Sequence, residues 1–278
     1  MKKLPFICAA AECALAVGLA GAQQPLAARF FAHNAAMTRV QPGWPTPLVE
    51  PEPRLTQYYR LAFSNEYMAA GTRTVSYGDG RGGGIVVWNR CEFDLLPPAY
   101  IQHNSSAADG FGDTTALVKF RIASGNAEAG NYIATAILSH TFPTGSHSNG
   151  AATGSWNPTV AGGVGLGKRF DVETGLGGTL PTGKIAQQGR TMAWNALAQE
   201  HITGAFWLEV ENNASFYFAG SHDGRMQNFV TPAAFYIPRR KAWRPTRPFV
   251  VFAAGMKMAT SGFHTYNHKL IGEMRVLF

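Results

Sequence analysis

His264 and His268 stand four residues apart, a spacing that sets two imidazoles on one helix face as zinc ligands. Gly262, Thr265, Tyr266 and Asn267 make that stretch a loop, and no third ligand is near in sequence, so no metal is expected. His222-Asp223 likewise reads as a turn. Ser139 precedes His140, but sequence neighbours on a strand point to opposite faces, which separates a nucleophile from its base. Gly-Asp-Gly-Arg-Gly-Gly-Gly at 78–84 lacks the lysine spacing and following helix of a phosphate loop, and reads as a flexible turn. No catalytic constellation and no cofactor site follow, and the chain is expected not to be an enzyme.

The more informative chemistry is a set of charges that recur on one face. Arg60, Arg90, Glu92, Asp94, Lys119, Arg121, Glu173, Glu209, Glu211, Lys257, Glu273 and Arg275 all fall on the polar side of period-two segments. In 206–218, Phe206, Leu208, Val210, Ala214, Phe216 and Phe218 oppose Trp207, Glu209, Glu211, Asn213, Ser215 and Tyr217. In 115–122, Ala116, Val118, Phe120 and Ile122 oppose Lys119 and Arg121, and 86–95 sets Trp88, Arg90, Glu92 and Asp94 against Val87, Cys91, Phe93 and Leu95. Segments 171–180 and 249–258 carry Glu173 and Lys257 on their polar sides, while 156–168 and 190–202 alternate poorly. A face that is apolar throughout suits lipid, and its charged counterpart suits a lumen. Two readings of the charges follow: a salt-bridged filling that holds a narrow barrel together, or a polar path with both signs.

These elements imply an all-β, up-and-down antiparallel transmembrane β-barrel of about twelve strands, each about 8–13 residues long. The strands centre near 60, 75, 90, 117, 137, 162, 176, 196, 212, 232, 253 and 273. An even count puts both termini on the periplasmic side, with 98–111 and 144–155 as outer loops and 238–247 facing the periplasm. Phe142-Pro143-Thr144-Gly145 and Leu180-Pro181-Thr182-Gly183 each end an outward-running strand. Before the barrel, 25–38 could form a short helix, and Pro42, Pro45, Pro47, Pro51 and Pro53 force an extended path. That stretch is either a periplasmic lead-in or an arm tucked into the barrel mouth.

Lys2 and Lys3, the apolar run from Leu4 to Leu19 and Ala20-Gly21-Ala22 form a secretory signal pattern, with cleavage near Gln23. The expected organisation is a signal peptide at 1–22, a proline-rich lead-in at 23–54 and a barrel at 55–278. Removing 1–22 takes Lys2, Lys3 and Glu12 and lowers the net charge from +7 to +6. Only Cys91 remains, which rules out an internal disulfide. With 15% charged residues, 31 glycines and no later apolar run of 18, a helical membrane protein is excluded and a soluble globule disfavoured. The basic excess gathers in Arg239, Arg240, Lys241, Arg244 and Arg247, a loop-like cluster without a nucleic-acid-binding module, so phosphate head groups or water are its expected contacts.

The chain ends Met274-Arg275-Val276-Leu277-Phe278, where Met274, Val276 and Phe278 alternate and an aromatic residue is last. This resembles the terminal signal by which outer-membrane barrels are recognised by the barrel-assembly machinery. Asp109-Gly110-Phe111-Gly112-Asp113-Thr114, leading into Val118-Lys119-Phe120-Arg121, and Trp156-Asn157-Pro158-Thr159-Val160-Ala161-Gly162-Gly163 resemble a family of outer-membrane barrels first described from a phenol-degradation (meta-cleavage) pathway. The likeness covers about 90–278. It implies an outer-membrane transporter or channel in contact with lipid and a small, hydrophobic or aromatic solute, and brings no catalytic residues. The alternative is a non-transporting barrel that stabilises the envelope or serves as a docking surface.

Overall fold

The computed structural model describes residues 25–68, 70–238 and 248–278. The signal pattern at 1–22, its cleavage point and the basic cluster from Arg239 to Arg247 lie outside these residues.

One helix, α1 (Leu26–Thr38), precedes the sheet. The strands that follow are β1 (Tyr58–Tyr67), β2 (Arg73–Tyr77), β3 (Gly82–Trp88), β4 (Cys91–Leu96), β5 (Tyr100–His103), β6 (Gly110–Phe111) and β7 (Thr114–Gly125). Next come β8 (Tyr132–Phe142), β9 (Ser155–Leu166) and β10 (Phe170–Pro181), then a short turn of helix, α2 (Ile185–Gln188). The last strands are β11 (Arg190–Thr203), β12 (Phe206–Phe218), β13 (Met226–Tyr236), β14 (Phe249–Ala259) and β15 (His268–Leu277). Antiparallel pairing of β1 with β15, Tyr58 opposite Leu277 and Tyr67 opposite His268, closes the sheet into a barrel. Closure leaves no edge strand within the wall.

The fifteen segments fill twelve positions round the wall. β1 pairs with β2 along its second half and with β3 along its first, so β2 and β3 are one interrupted strand. β4 and β5 form the next, split at Pro97-Pro98, and β6 and β7 the third, split at Gly112-Asp113. The three breaks lie side by side. Arg81 donates to the Pro98 carbonyl at 2.5 Å, and Gly112 N–H to the Ala99 carbonyl at 2.9 Å. At the first break Gly78 (φ +84°) and Gly80 (φ +66°) turn the chain, a backbone shape that needs glycine.

Two sequence expectations change here. Residues 86–95 are not one strand but a tight hairpin, turning at Asn89-Arg90 between β3 and β4. The stretch 98–111 is not all loop, since β5 and β6 extend the wall and leave 104–109 as the connection.

Alternation then decides the faces. Leu61, Val118, Leu138, Val160, Leu176 and Val210 are exposed on the outside, while Glu92, Lys119, Glu173, Glu209 and Glu211 are buried within. Aromatic side chains ring both ends of the apolar band. Tyr59, Trp88, Tyr132, Phe170, Phe206 and Tyr236 are exposed at the end where the chain enters and leaves the barrel, and Tyr77, Tyr100, Phe111, Phe142, Trp156 and Phe218 at the far end. Such girdles suit the two interfaces of a bilayer. No described helix is long and apolar enough to cross a membrane.

Candidate functional site

Residues 39–57 follow α1 and enter the barrel. The five prolines allow no helix and leave an extended chain whose N–H and C=O groups find few partners in itself, so the wall must supply them. It does so with its charges. Carboxylates take the N–H groups: Leu48 donates to Glu209 at 3.2 Å, Val49 and Glu50 to Glu211 at 2.7 and 2.9 Å, and Thr56 to Glu92 at 2.5 Å. Cations take the carbonyls: Arg275 donates to Thr46 at 2.8 Å and Pro47 at 2.5 Å, Arg60 to Leu48 at 3.1 Å, and Lys119 to Arg54 at 3.4 Å. Thr135 adds a bond to the Pro53 carbonyl at 2.5 Å. Gln41 folds the segment back on itself by bonding both the N–H and the C=O of Leu55. Residues 46–56 of this arm are thus bonded to inward-facing residues of the wall.

The wall charges also pair with one another. Glu92 lies directly opposite Lys119 on adjacent strands, at 2.7 Å, and Asp94 receives the Tyr58 hydroxyl at 2.9 Å. Arg60 and Arg275 stand opposite each other across β1 and β15, a repulsive register that Glu273 relieves by pairing with both, with Arg60 at 2.5 Å. Gln199 bonds the second oxygen of Glu209 at 2.5 Å. Arg121 reaches the Asn89 carbonyl at 2.6 Å and Gln41 at 3.2 Å. Glu173 is buried with neither oxygen hydrogen-bonded, and Lys257 is half-buried with its ammonium 5.1 Å from the Phe229 ring centre. Eleven of the twelve charges singled out from sequence thus face inward; Arg90 is the exception. It sits exposed in the Asn89-Arg90 turn and donates to the Ile122 carbonyl at 3.3 Å, because the hairpin removes it from the strand alternation.

The arm adds groups that alternation could not reveal, since it is not a strand. Glu52 and Arg54 pair at 2.6 Å inside the lumen. The Gly78–Arg81 turn carries Asp79 inward, where it meets Ser64 at 2.8 Å and Lys269 at 2.7 Å. Lys269 was within reach of sequence reading, as it shares the period-two face of Glu273 and Arg275.

Three cavities lie around the arm among the described residues. One of about 140 Å³, between α1 and the entry end of the barrel, includes Asn34, Trp44, Thr46, Arg275 and Leu277. A second of about 270 Å³ lies against β4 and β7–β9 and shares Thr46, Arg275 and Leu277 with the first. The third, of about 240 Å³, is bounded by the arm's tip and shares Val49 and Arg60 with the second. On the outer wall an apolar depression of about 670 Å³ is formed by Val118, Phe120, Leu138, Val160, Leu176 and their neighbours. Ile137 and Thr159 border both it and the second lumen cavity.

At the rim, His264 bonds Ser261 and Asn267 at 2.9 and 3.0 Å, and His268 stacks on Tyr67 at 4.5 Å; no metal-binding group occurs among the described residues. Asp113, from the Asp109–Thr114 motif, accepts the N–H groups of Gly145 and Ala151 and so pins the β8–β9 loop. Met274 and Val276 stand opposite lipid-facing Leu61 and Tyr59, whereas the Phe278 ring turns to pack edge-on against Phe30 of α1 at 5.8 Å.

No protein-family model matches the chain, and no curated protein does either. Among solved structures it is similar to an outer-membrane channel from Pseudomonas putida F1, with a TM-score of 0.58 and 12% identity over 84% of this chain and 100% of that one. It is also similar to the NanC porin, with a TM-score of 0.51 and 9% identity over 80% of this chain and 98% of that one. At such identities the likeness concerns the fold, and the chain has the fold of bacterial outer-membrane β-barrels.

Proposed function

We propose that the chain is an outer-membrane channel for small hydrophobic or aromatic molecules, with residues 39–57 as the element that narrows its lumen. The observation that carries this reading is the row of three cavities beside the arm, neighbours in the row sharing wall residues. A barrel built only to brace the envelope has no need of such internal space. The arm is held chiefly through hydrogen bonds to its backbone, which a shift of the segment can break and remake. The apolar depression, sharing Ile137 and Thr159 with the lumen, favours solutes with an apolar body over inorganic ions. Membership of the meta-cleavage family belongs to the same proposal, as do entry at the far end, periplasmic termini and recognition of β15 by the assembly machinery.

The competing reading is a non-transporting barrel, favoured by the buried Lys119–Glu92 and Arg60–Glu273 pairs that cross the lumen wall. Liposome swelling with purified protein separates the two. A channel admits small neutral aromatic alcohols faster than protein-free vesicles do and excludes large sugars. Swelling equal to that of empty vesicles for every solute would leave the bracing role.

A further inference from the structure

Two like-charge pairs face each other between β15 and its neighbours β1 and β14, and they are treated differently. Arg60 opposite Arg275 is neutralised by Glu273 between them and by carbonyls of the arm. Lys257 opposite Lys269 is only half compensated. Lys269 has Asp79 at 2.7 Å and Glu66 at 3.9 Å. Lys257 has no carboxylate within 4 Å among the described residues, only the face of Phe229. The acids whose charge reaches Lys257 are committed elsewhere, Glu211 to the amides of Val49 and Glu50, Glu66 to Lys269, and Asp79 to Lys269 and Ser64. Like charges directly opposite destabilise a sheet unless a counter-charge joins them.

Both lysines border the 240 Å³ cavity at the arm's tip. Its other walls are mixed: Leu48 and Val49 from the arm, Ile271 from β15 and Tyr266, whose ring stacks on Phe229 at 4.5 Å, stand beside Arg60 and the Asp79 carboxylate that Lys269 holds. The space is a little smaller than the roughly 300–1,000 Å³ of drug-sized sites.

We propose that this cavity binds a small amphipathic organic acid, its carboxylate on the Lys257 ammonium and its apolar body against Leu48, Val49, Ile271 and Tyr266. The bound carboxylate does for Lys257 and Lys269 what Glu273 does for Arg60 and Arg275. The inference rests on the channel reading in one respect, that the acid is a solute; binding itself can be measured without flux.

The test is calorimetric titration of the full chain in non-ionic detergent micelles, with benzoate as probe. Benzoate binds one-to-one, benzyl alcohol at least tenfold more weakly, and equimolar chloride does not displace it. Lys257→Met weakens benzoate at least tenfold, whereas Lys168→Met, in the exposed β9–β10 turn, leaves it unchanged. If Lys257→Met does not reach the folded, heat-modifiable form, Lys257→Arg retains binding, and the comparison of benzoate with benzyl alcohol needs no variant. Absence of benzoate binding to the unaltered protein, equal affinity for the alcohol, displacement by equimolar chloride, or undiminished binding by folded Lys257→Met would overturn the site. Benzoate binding without swelling of liposomes would retain the site and remove the channel. Swelling without benzoate binding would do the reverse.

Discussion

The outer and inner faces of the same twelve strands are governed by different requirements. Outside, each position answers to a uniform solvent, so one rule serves the whole surface: apolar in the middle, aromatic at the ends. Inside, most charges answer to particular groups, a facing charge or amides and carbonyls of the arm. A substitution outside is therefore costed by depth in the bilayer, and one inside by what it leaves unpaired. The contrast teaches that the charges of this lumen serve two ends, since the residues that compensate one another also hold the arm.

The contrast can be broken most severely at Lys119. Lys119→Met leaves Glu92 and Asp94 together without their cation and should cost about 3–5 kcal/mol. Denaturant unfolding in lipid vesicles reads this, and a loss under 1 kcal/mol would show that the inner pairs are not coupled to barrel stability. Next is Val210→Lys, on the outer face between the girdles, expected at about 2–4 kcal/mol in the same assay. Equal tolerance of Val210→Lys and a surface-loop lysine would deny that the face meets lipid.

A smaller effect on unfolding is expected from Glu211→Gln, because the barrel wall survives the loss. Its effect belongs to the arm: two bonds to a charged acceptor are weakened, each worth about 1.5–3 kcal/mol. Maleimide labelling of a cysteine placed at Val49 should speed up at least tenfold in that background, whereas labelling unchanged by Glu211→Gln would place the hold on the arm elsewhere.

The mildest expectation concerns pH. Burial first, then the Glu211 charge, pushes the Glu50 carboxyl up to about 9. Docked, Glu50 keeps its proton; released, it ionises above its ordinary 4.5. Docking is therefore fully favoured below pH 4.5 and weakens as the pH climbs towards 9, by at most about tenfold per unit. Glu52 has the opposite sign: burial raises it, but Arg54, Lys119 and Arg275 outweigh that and hold it below its ordinary value, so its contribution fades only in acid. Labelling at Val49, taken relative to a cysteine in the exposed β9–β10 turn at the same pH, should quicken from pH 6 to 9, and Glu50→Gln should flatten that ratio.

How far the molecule was legible follows from the same division. The 206–218 and 115–122 segments were readable because a lipid-facing residue and a lumen-facing one differ in hydropathy at every step, and α1 was readable from its unbroken run before the prolines. The hairpin at Asn89-Arg90 was not, because Trp88, Arg90 and Glu92 keep a period of two straight through the turn. The breaks at Gly78–Arg81 and Pro97-Pro98 resembled loops, since glycine and proline mark a bent strand and a strand end alike. The arm's position is not legible in the sequence, because prolines specify an extended path and not what it packs against. Its partners are set by single hydrogen bonds to backbone, which leave no trace in side-chain pattern.

Residues 39–57 narrow the lumen only as long as these bonds hold. Conductance of the full chain in planar bilayers, compared with that of Glu209→Gln/Glu211→Gln, tests it directly. The intact protein should show a small, steady conductance, and the variant should show stepwise openings several times larger as the arm leaves. Identical conductance in both proteins, with the variant folded, would contradict the arm's role.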